Sequence, residues 1–323
     1  MTYLAQIPLE TYLLAEQAAP IACLICDHEN CCSAARCRNC AAPMSLAHNT
    51  QSSKRQPQMI AVIGASGAGK TTYLGLLMDM LTRHVGLLRS TARGPMSISL
   101  QQATTTSLAT GWFPEKTPTS PELWHWVHCQ FNCRRRRRPL ELVVPDVSGE
   151  SLVVETEQSG RHPALRSLLA KAAGVIVLAD AELLQSGDHS QDFVALKLLS
   201  LIDELRDEKS HSWRSRGPER RPLALVLTKA DKCDGLHDNP REFADGHAAA
   251  LWNDCRSRFP RHEVFACSVA GATAYRESVG GRQQVPLRIE PRGIIEPFGW
   301  LMTELDENWN NPGVVTRLCS RSR

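Results

Sequence analysis

The 323-residue chain contains no run of 18 uninterrupted apolar residues, so no membrane span is expected. Its N-terminus lacks a basic stretch ahead of an apolar core. Glu10 and Glu16 interrupt what mild apolarity it has, so no signal peptide is expected either. No segment repeats at a fixed period, which argues against a solenoid or propeller. Charge of one sign is also lacking: 37 Lys and Arg against 34 Asp and Glu leave +3, which names no partner. What is present is apolar substance, 42% of the residues, with length for one large α/β domain and a small appendage. Cysteine is the other abundance. Without an export signal, the 12 cysteines read as thiols or metal ligands in a cytoplasmic protein rather than as disulfides.

One segment decides the chemistry. Met59 to Ile63 is a short apolar run that feeds Gly64-Ala65-Ser66-Gly67-Ala68-Gly69-Lys70-Thr71, a GxxxxGK[ST] loop. A helical pattern follows at Tyr73, Leu74, Leu76, Leu77 and Met80. Strand, loop and helix in that order make a phosphate-binding loop credible over the segment that ends at Thr72. Its glycines let successive backbone N–H groups aim at phosphate oxygens, and the helix N-terminus adds its positive end. Lys70 is expected at the β- and γ-phosphates, and the Thr71 hydroxyl as a Mg²⁺ ligand.

Six cysteines crowd residues 23–40. Cys23-x2-Cys26 and Cys37-x2-Cys40 form two knuckles separated by ten residues, and four thiolates on two tight turns complete a tetrahedral shell for Zn²⁺. Closing that shell supplies the folding free energy so short a segment lacks. His28, Cys31 and Cys32 lie between the knuckles and can replace one ligand. A closed four-ligand site is structural, and its partner, protein or nucleic acid, stays open; only Arg36 and Arg38 are nearby cations. The expected organisation is a ribbon segment over 1–45, a polar proline-containing linker over 46–57, a main domain over 58–308 and a tail over 309–323.

Beyond the loop, a polar stretch runs from Arg93 to Pro121, followed by strand patterns at 123–131 and 139–147. Only the short arginine run 134–138 separates these two, so they must be antiparallel neighbours. Further strands are expected at 174–179, 223–228 and 263–269, with helices around 163–172, 192–207, 240–258 and 293–307. The alternation predicts an α/β three-layer sandwich around a mostly parallel sheet with one antiparallel strand.

Two motifs fall at the ends of these strands, where open α/β sheets bind ligands. Asp146-Val147-Ser148-Gly149 puts a carboxylate where it can hold Mg²⁺ through water, and a glycine whose N–H can meet the γ-phosphate. Thr228-Lys229-Ala230-Asp231 puts a second carboxylate where it can accept from the N1–H and exocyclic amine of guanine and repel adenine, with the Lys229 stem along the base. Here the chain resembles the Ras-like, translation-factor-class (TRAFAC) GTPases over roughly residues 56–308, with Thr228 in place of the usual Asn. Cys267-Ser268-Val269-Ala270 is similar to their fifth motif, whose backbone contacts the base. The ribbon and the closing Glu296–Leu301 segment make it similar to the double-GTPase group of bacterial conflict and defence-type gene clusters.

That resemblance implies a P-loop GTPase, a GTP-driven switch in a multiprotein system, with GTP, Mg²⁺ and Zn²⁺ as ligands and a GTPase activator or effector among its protein partners. It also implies a switch threonine in the 93–121 stretch. Thr117 is the choice, with Thr104, Thr105, Thr106 and Thr119 as alternatives. Glu150 stands where many relatives carry a water-orienting Gln, so unaided hydrolysis is expected to be slow. The arginine run reads as a solvated turn, and Trp124, His125, Trp126 and His128 as packing and surface positions. Cys129, Cys133, Cys233, Cys255, Cys267 and Cys319 lack ligand spacing. The competing readings are a P-loop ATPase and a non-hydrolysing scaffold that binds protein or nucleic acid through the ribbon. The oligomeric state is left open.

Overall fold

Strands β3 (Gln58–Ile63), β7 (Gly174–Asp180) and β8 (Leu223–Thr228) are near-continuous apolar runs, the signature of parallel strands covered on both faces. In the computed structural model they join β4 (Arg89–Ala92), β5 (His125–Asn132), β6 (Leu140–Asp146) and β9 (His262–Ala266) in a seven-stranded sheet of order β4-β5-β6-β3-β7-β8-β9. β5 runs against both of its neighbours, and the other pairings are parallel. The short strands β1 (Ile21–Ala22) and β2 (Glu29–Asn30) form a separate antiparallel pair, and the short helix α6 (Ala181–Gln185) follows β7. The structure describes residues 19–51, 57–83, 89–132, 140–209, 221–278 and 281–305. Glu10, Glu16, the arginine run, Cys133, Cys319 and the tail lie outside the described residues.

Side-chain alternation splits the core in two. Ala61, Val175, Val177 and Leu225 point to one face, where α5 (Pro163–Lys171), α7 (Ser190–Lys209) and α9 (Ala249–Arg258) pack. Ile60, Val62, Ile176 and Val226 point to the other, covered by α2 (Lys70–Thr82), α3 (Pro95–Ala109) and α10 (Ile295–Leu305). These are the three layers expected. No helix among the described residues is long and apolar enough to cross a membrane.

Four expectations need correction. The polar stretch after Arg93 is largely the helix α3, not a loop. Ser97, Leu100, Thr104 and Leu108 form its buried stripe, and hydroxyl residues on that stripe hide the period. Thr104 is fully buried, where a Cβ on Gly75 of α2 would sit 2.0 Å from its Oγ1. The linker opens with α1 (Ser45–Gln51), whose Leu46 and Ala47 join the main core. The helix expected over 240–258 is two, α8 (Pro240–His247) and α9, breaking at Ala248. The strand expected over 263–269 ends at Ala266. A separate antiparallel hairpin of β10 (Ser268–Ser278) and β11 (Gly281–Arg292) then begins.

Candidate functional site

The strands β3, β6, β8 and β9 end on one edge of the sheet, and the loops leaving them converge there. The Gly64–Thr71 loop turns through Gly67 (φ 83°) and Gly69 (φ 87°), left-handed conformations that favour glycine, into the start of α2. Gly149, at the start of α4 (Gly149–Glu157), lies so close to this loop that a Cβ there would be 2.2 Å from the Ser66 backbone nitrogen. Only glycine fits. The loops border a cleft of about 260 Å³ lined by Ser66, Lys70, Thr71, Thr117, Glu150 and Asp231 among others.

Lys70 lies inside the loop, 6% exposed, and its Nζ donates to the carbonyls of Gly64 and Ala65 at 2.9 Å. Burial pulls its pKa down to about 8, against the pull of the Asp146 and Glu150 carboxylates. Beside it, Thr117 Oγ1 donates to Asp146 Oδ2 at 2.8 Å and lies 2.7 Å from Thr71 Oγ1. Because Thr117 spends its one proton on Asp146, Thr71 donates to Thr117. Asp146 is fully buried, its Oδ1 has no hydrogen-bond partner, and burial raises its carboxyl. Thr71 Oγ1, Thr117 Oγ1 and Asp146 Oδ2 thus form a chain of oxygens that ends on a carboxylate whose other oxygen is unpartnered, a donor set suited to a hard cation. Thr104, Thr105 and Thr106 lie on α3 instead, and Thr119 offers its carbonyl to Ser151 Oγ at 3.0 Å. Glu150 accepts from Ser66 Oγ at 2.6 Å across the mouth of the loop, which lowers its carboxyl.

At the other end of the cleft, Thr228 Oγ1 donates to the Ala179 carbonyl at 3.1 Å, and the following residue, Lys229, adopts φ 56°. Its ammonium pairs with the buried Asp180, a carboxylate at the end of β7 that sequence reasoning passed over. The Ala230 N–H donates to the Cys267 carbonyl at 3.0 Å, which ties the Thr228–Asp231 turn to the Ser268–Ala270 segment. Asp231 is exposed and lines the cleft together with Val269 and Ala270. His237 Nε2 lies 3.0 Å from Ser268 Oγ, a contact between loops that no local pattern announces. Trp126 and His128 of β5, and Trp124 just before it, are buried away from the cleft lining.

The two cysteine knuckles are built alike. Asp27 N–H returns to the Cys23 carbonyl and Ala41 N–H to the Cys37 carbonyl, at 2.9 and 3.0 Å, with Asp27 and Ala41 both left-handed. Their sulfurs meet: Cys23–Cys40 at 3.7 Å, Cys26–Cys37 at 3.5 Å, and all four within 4.8 Å of one another. Zn–S bonds of about 2.3 Å in a tetrahedron require S–S edges of about 3.8 Å. The thiols fit a zinc ion. Cys31 is exposed, 3.2 Å from Ser33 Oγ, and His28 is exposed; neither belongs to the cluster. Cys129, Cys233, Cys255 and Cys267 are buried free thiols.

The family model described as Double-GTPase 2 matches residues 58–282, which leaves the cysteine cluster outside the match. No match is found among curated proteins. Among solved structures, the chain is similar to the GTP-bound GTPase-like domain of Ski7 from S. cerevisiae, at 16% identity and TM-score 0.43. That likeness covers 82% of this chain and 52% of the other, so the chain spans about half of the Ski7 chain's length. It is also similar to Toc33 from Arabidopsis thaliana (10% identity, TM-score 0.36, covering 83% of this chain and 91% of that one). A third is the signal recognition particle receptor SRb-GTP/SRX complex from Chaetomium thermophilum, at 13% identity and TM-score 0.34, covering 66% of this chain and 94% of that one. These are distant likenesses.

Proposed function

The chain belongs to the Double-GTPase 2 family, and we propose that it is a GTP-hydrolysing switch whose state is read by a protein partner in a multiprotein, conflict-type system. One observation carries the reading. Thr71 and Thr117, 46 residues apart, share a hydrogen bond beside a buried Asp146 with a free Oδ1, at the mouth of a GxxxxGKT loop. Thr117 comes from the long excursion between α2 and β5, so its approach to Asp146 is a tertiary event that a bound γ-phosphate can favour or release. Release of such a segment is a recurrent switching device.

Phosphoryl transfer depends on positioning and on neutralising charge that develops on the phosphate oxygens. The loop N–H groups and Lys70 serve both ends, and Lys70 would leave the carbonyls of Gly64 and Ala65 to do so. Mg²⁺, held by the Thr71 and Thr117 hydroxyls with Asp146 behind them, would supply neutralisation between the phosphates when bound. Gly149, with no side chain between its N–H and the loop, suits a contact to the γ-phosphate. Asp231 and the Lys229 stem read guanine, with the backbone of Ser268 and Val269 behind them. Glu150 presents a carboxylate where a neutral water-orienting group would serve better, so turnover is slow until a partner supplies positive charge. The four thiols of Cys23, Cys26, Cys37 and Cys40 hold a structural Zn²⁺.

Phosphate release from GTP and from ATP, with Mg²⁺ and with chelator, tests the reading. Turnover of GTP alone, dependent on Mg²⁺ and lost in Lys70→Ala, is expected. The Glu150 carboxylate also favours a second reading, a scaffold that holds GTP without cleaving it. Tight GTP binding with no phosphate release, alone or with cell extract, selects that one.

A further inference from the structure

One wall of the cleft comes from neither the phosphate loop nor the guanine turn. The β10–β11 hairpin leaves the body beside the Thr228–Asp231 turn, so it rises from the nucleoside end of the cleft. Thr273 of β10 and Gln284 of β11 line the cleft together with Val269 and Ala270, and Gln284 Nε2 donates to Thr273 Oγ1 at 3.1 Å. The hairpin register shifts three times between Ser268 and Thr273. Bulges of this kind re-aim side chains and recur beside binding sites. Further out, the Arg276 guanidinium lies 5.3 Å from the centre of the Trp112 ring. Trp112 opens the segment that carries Phe113 into the cleft and Thr117 to Asp146. One hairpin therefore touches both the nucleoside end and the segment that reaches the phosphate end.

We propose that this hairpin is a nucleotide clamp: Thr273 and Gln284 bind the guanine nucleoside, and the Arg276–Trp112 contact couples the hairpin to the Thr117 segment. The proposal rests on the GTP-binding reading above. A hydroxyl and a primary amide both donate and accept, so the pair can satisfy ribose hydroxyls or the polar edge of a base. Here the two groups bond to each other, which holds them ready at the wall. Thr273 and Gln284 are specificity-determining binding residues, and Arg276 and Trp112 are positioning residues that act through Thr117.

Isothermal titration of the full chain with GDP, a non-hydrolysable GTP analogue and 2′-deoxy-GDP tests the clamp. Thr273→Val and Gln284→Ala should each weaken GDP and the GTP analogue roughly 2- to 10-fold, the loss of one or two hydrogen bonds. A loss that disappears with 2′-deoxy-GDP assigns the contact to the ribose, and an equal loss assigns it to the base. Arg276→Ala should leave GDP binding unchanged and weaken the GTP analogue about 2- to 5-fold, the size of an exposed cation–π contact. Leu287→Ala, at a 67% exposed hairpin position, should match wild type throughout and controls for hairpin integrity. Wild-type protein that binds no guanine nucleotide overturns the GTP reading and the clamp with it. Normal wild-type binding with all three variants indistinguishable from it overturns the clamp alone.

Discussion

Replacing Lys70 by Met should stabilise the nucleotide-free protein while destroying its binding site. Lys70 is 6% exposed, and burial moves its pKa from the ordinary 10.5 to about 8. Each factor of ten in proton affinity is about 1.4 kcal/mol, so holding the cation here costs the empty fold about 3 kcal/mol. Met keeps the length and removes the charge, but gives up the bonds to the Gly64 and Ala65 carbonyls, worth about 1 kcal/mol each. The variant should therefore be more stable by about 1 kcal/mol at pH 7. The folded pKa lies below the unfolded one, so between about pH 8 and 10.5 the unfolded chain binds more protons and wild-type stability rises with pH. The variant has no such group. Its advantage should be complete below pH 8, shrink above it and reverse by about pH 10. Urea unfolding of both proteins at pH 7 and pH 10, in chelator and without nucleotide, measures the difference directly. A difference that does not change with pH refutes the buried-cation argument. The same charge that weakens the empty fold is what a triphosphate would neutralise.

Asp231→Asn should weaken GTP strongly and shift preference toward xanthine nucleotides, whose added carbonyl replaces a guanine donor; competition binding that still selects guanine would remove Asp231 from base recognition. Elemental analysis should find about one zinc per chain. The double change Cys37→Ser with Cys40→Ser should lose that zinc, keep GTP binding and lower the melting temperature, because Ile25 and Met44 of the ribbon share a core with Met59 of β3. Metal retained at full occupancy would instead implicate Cys31, Cys32 or His28. Glu150→Gln should leave phosphate release unchanged or faster, since it removes a negative charge hydrogen-bonded to Ser66 at the mouth of the loop. Abolished turnover with GTP binding intact would make Glu150 the residue that positions water. Thr117→Ala should reduce the Mg²⁺-dependent part of GTP-analogue affinity and spare GDP; equal losses for both nucleotides would detach Thr117 from the phosphate end.

Legibility in the sequence followed the range of the interaction. β7 and β8 were readable because a strand buried on both faces must be apolar throughout, and their observed bounds differ from the expected ones by no more than a residue. The helix α3 was not. Its buried stripe carries Thr104, tolerated because Gly75 on the facing helix leaves room for it, and Ser97, whose hydroxyl bonds to the His128 backbone of β5; both partners lie outside any local window. The boundary at Cys267 was hidden for a similar reason. The residues on both sides of it are strand formers, and what changes there is the pairing partner, from β8 to β11.

The phosphate loop, the knuckle spacing and the order of the three motifs were determined by the sequence alone, because each is a short stretch whose backbone geometry and chemistry are local. Only the tertiary structure decided which threonine meets Asp146 and which carboxylate pairs with Lys229. It also decided that the ribbon shares the core of the main domain, and that Thr273 and Gln284 wall the cleft. Each of those joins residues from separate elements, and their meeting depends on how the layers stack.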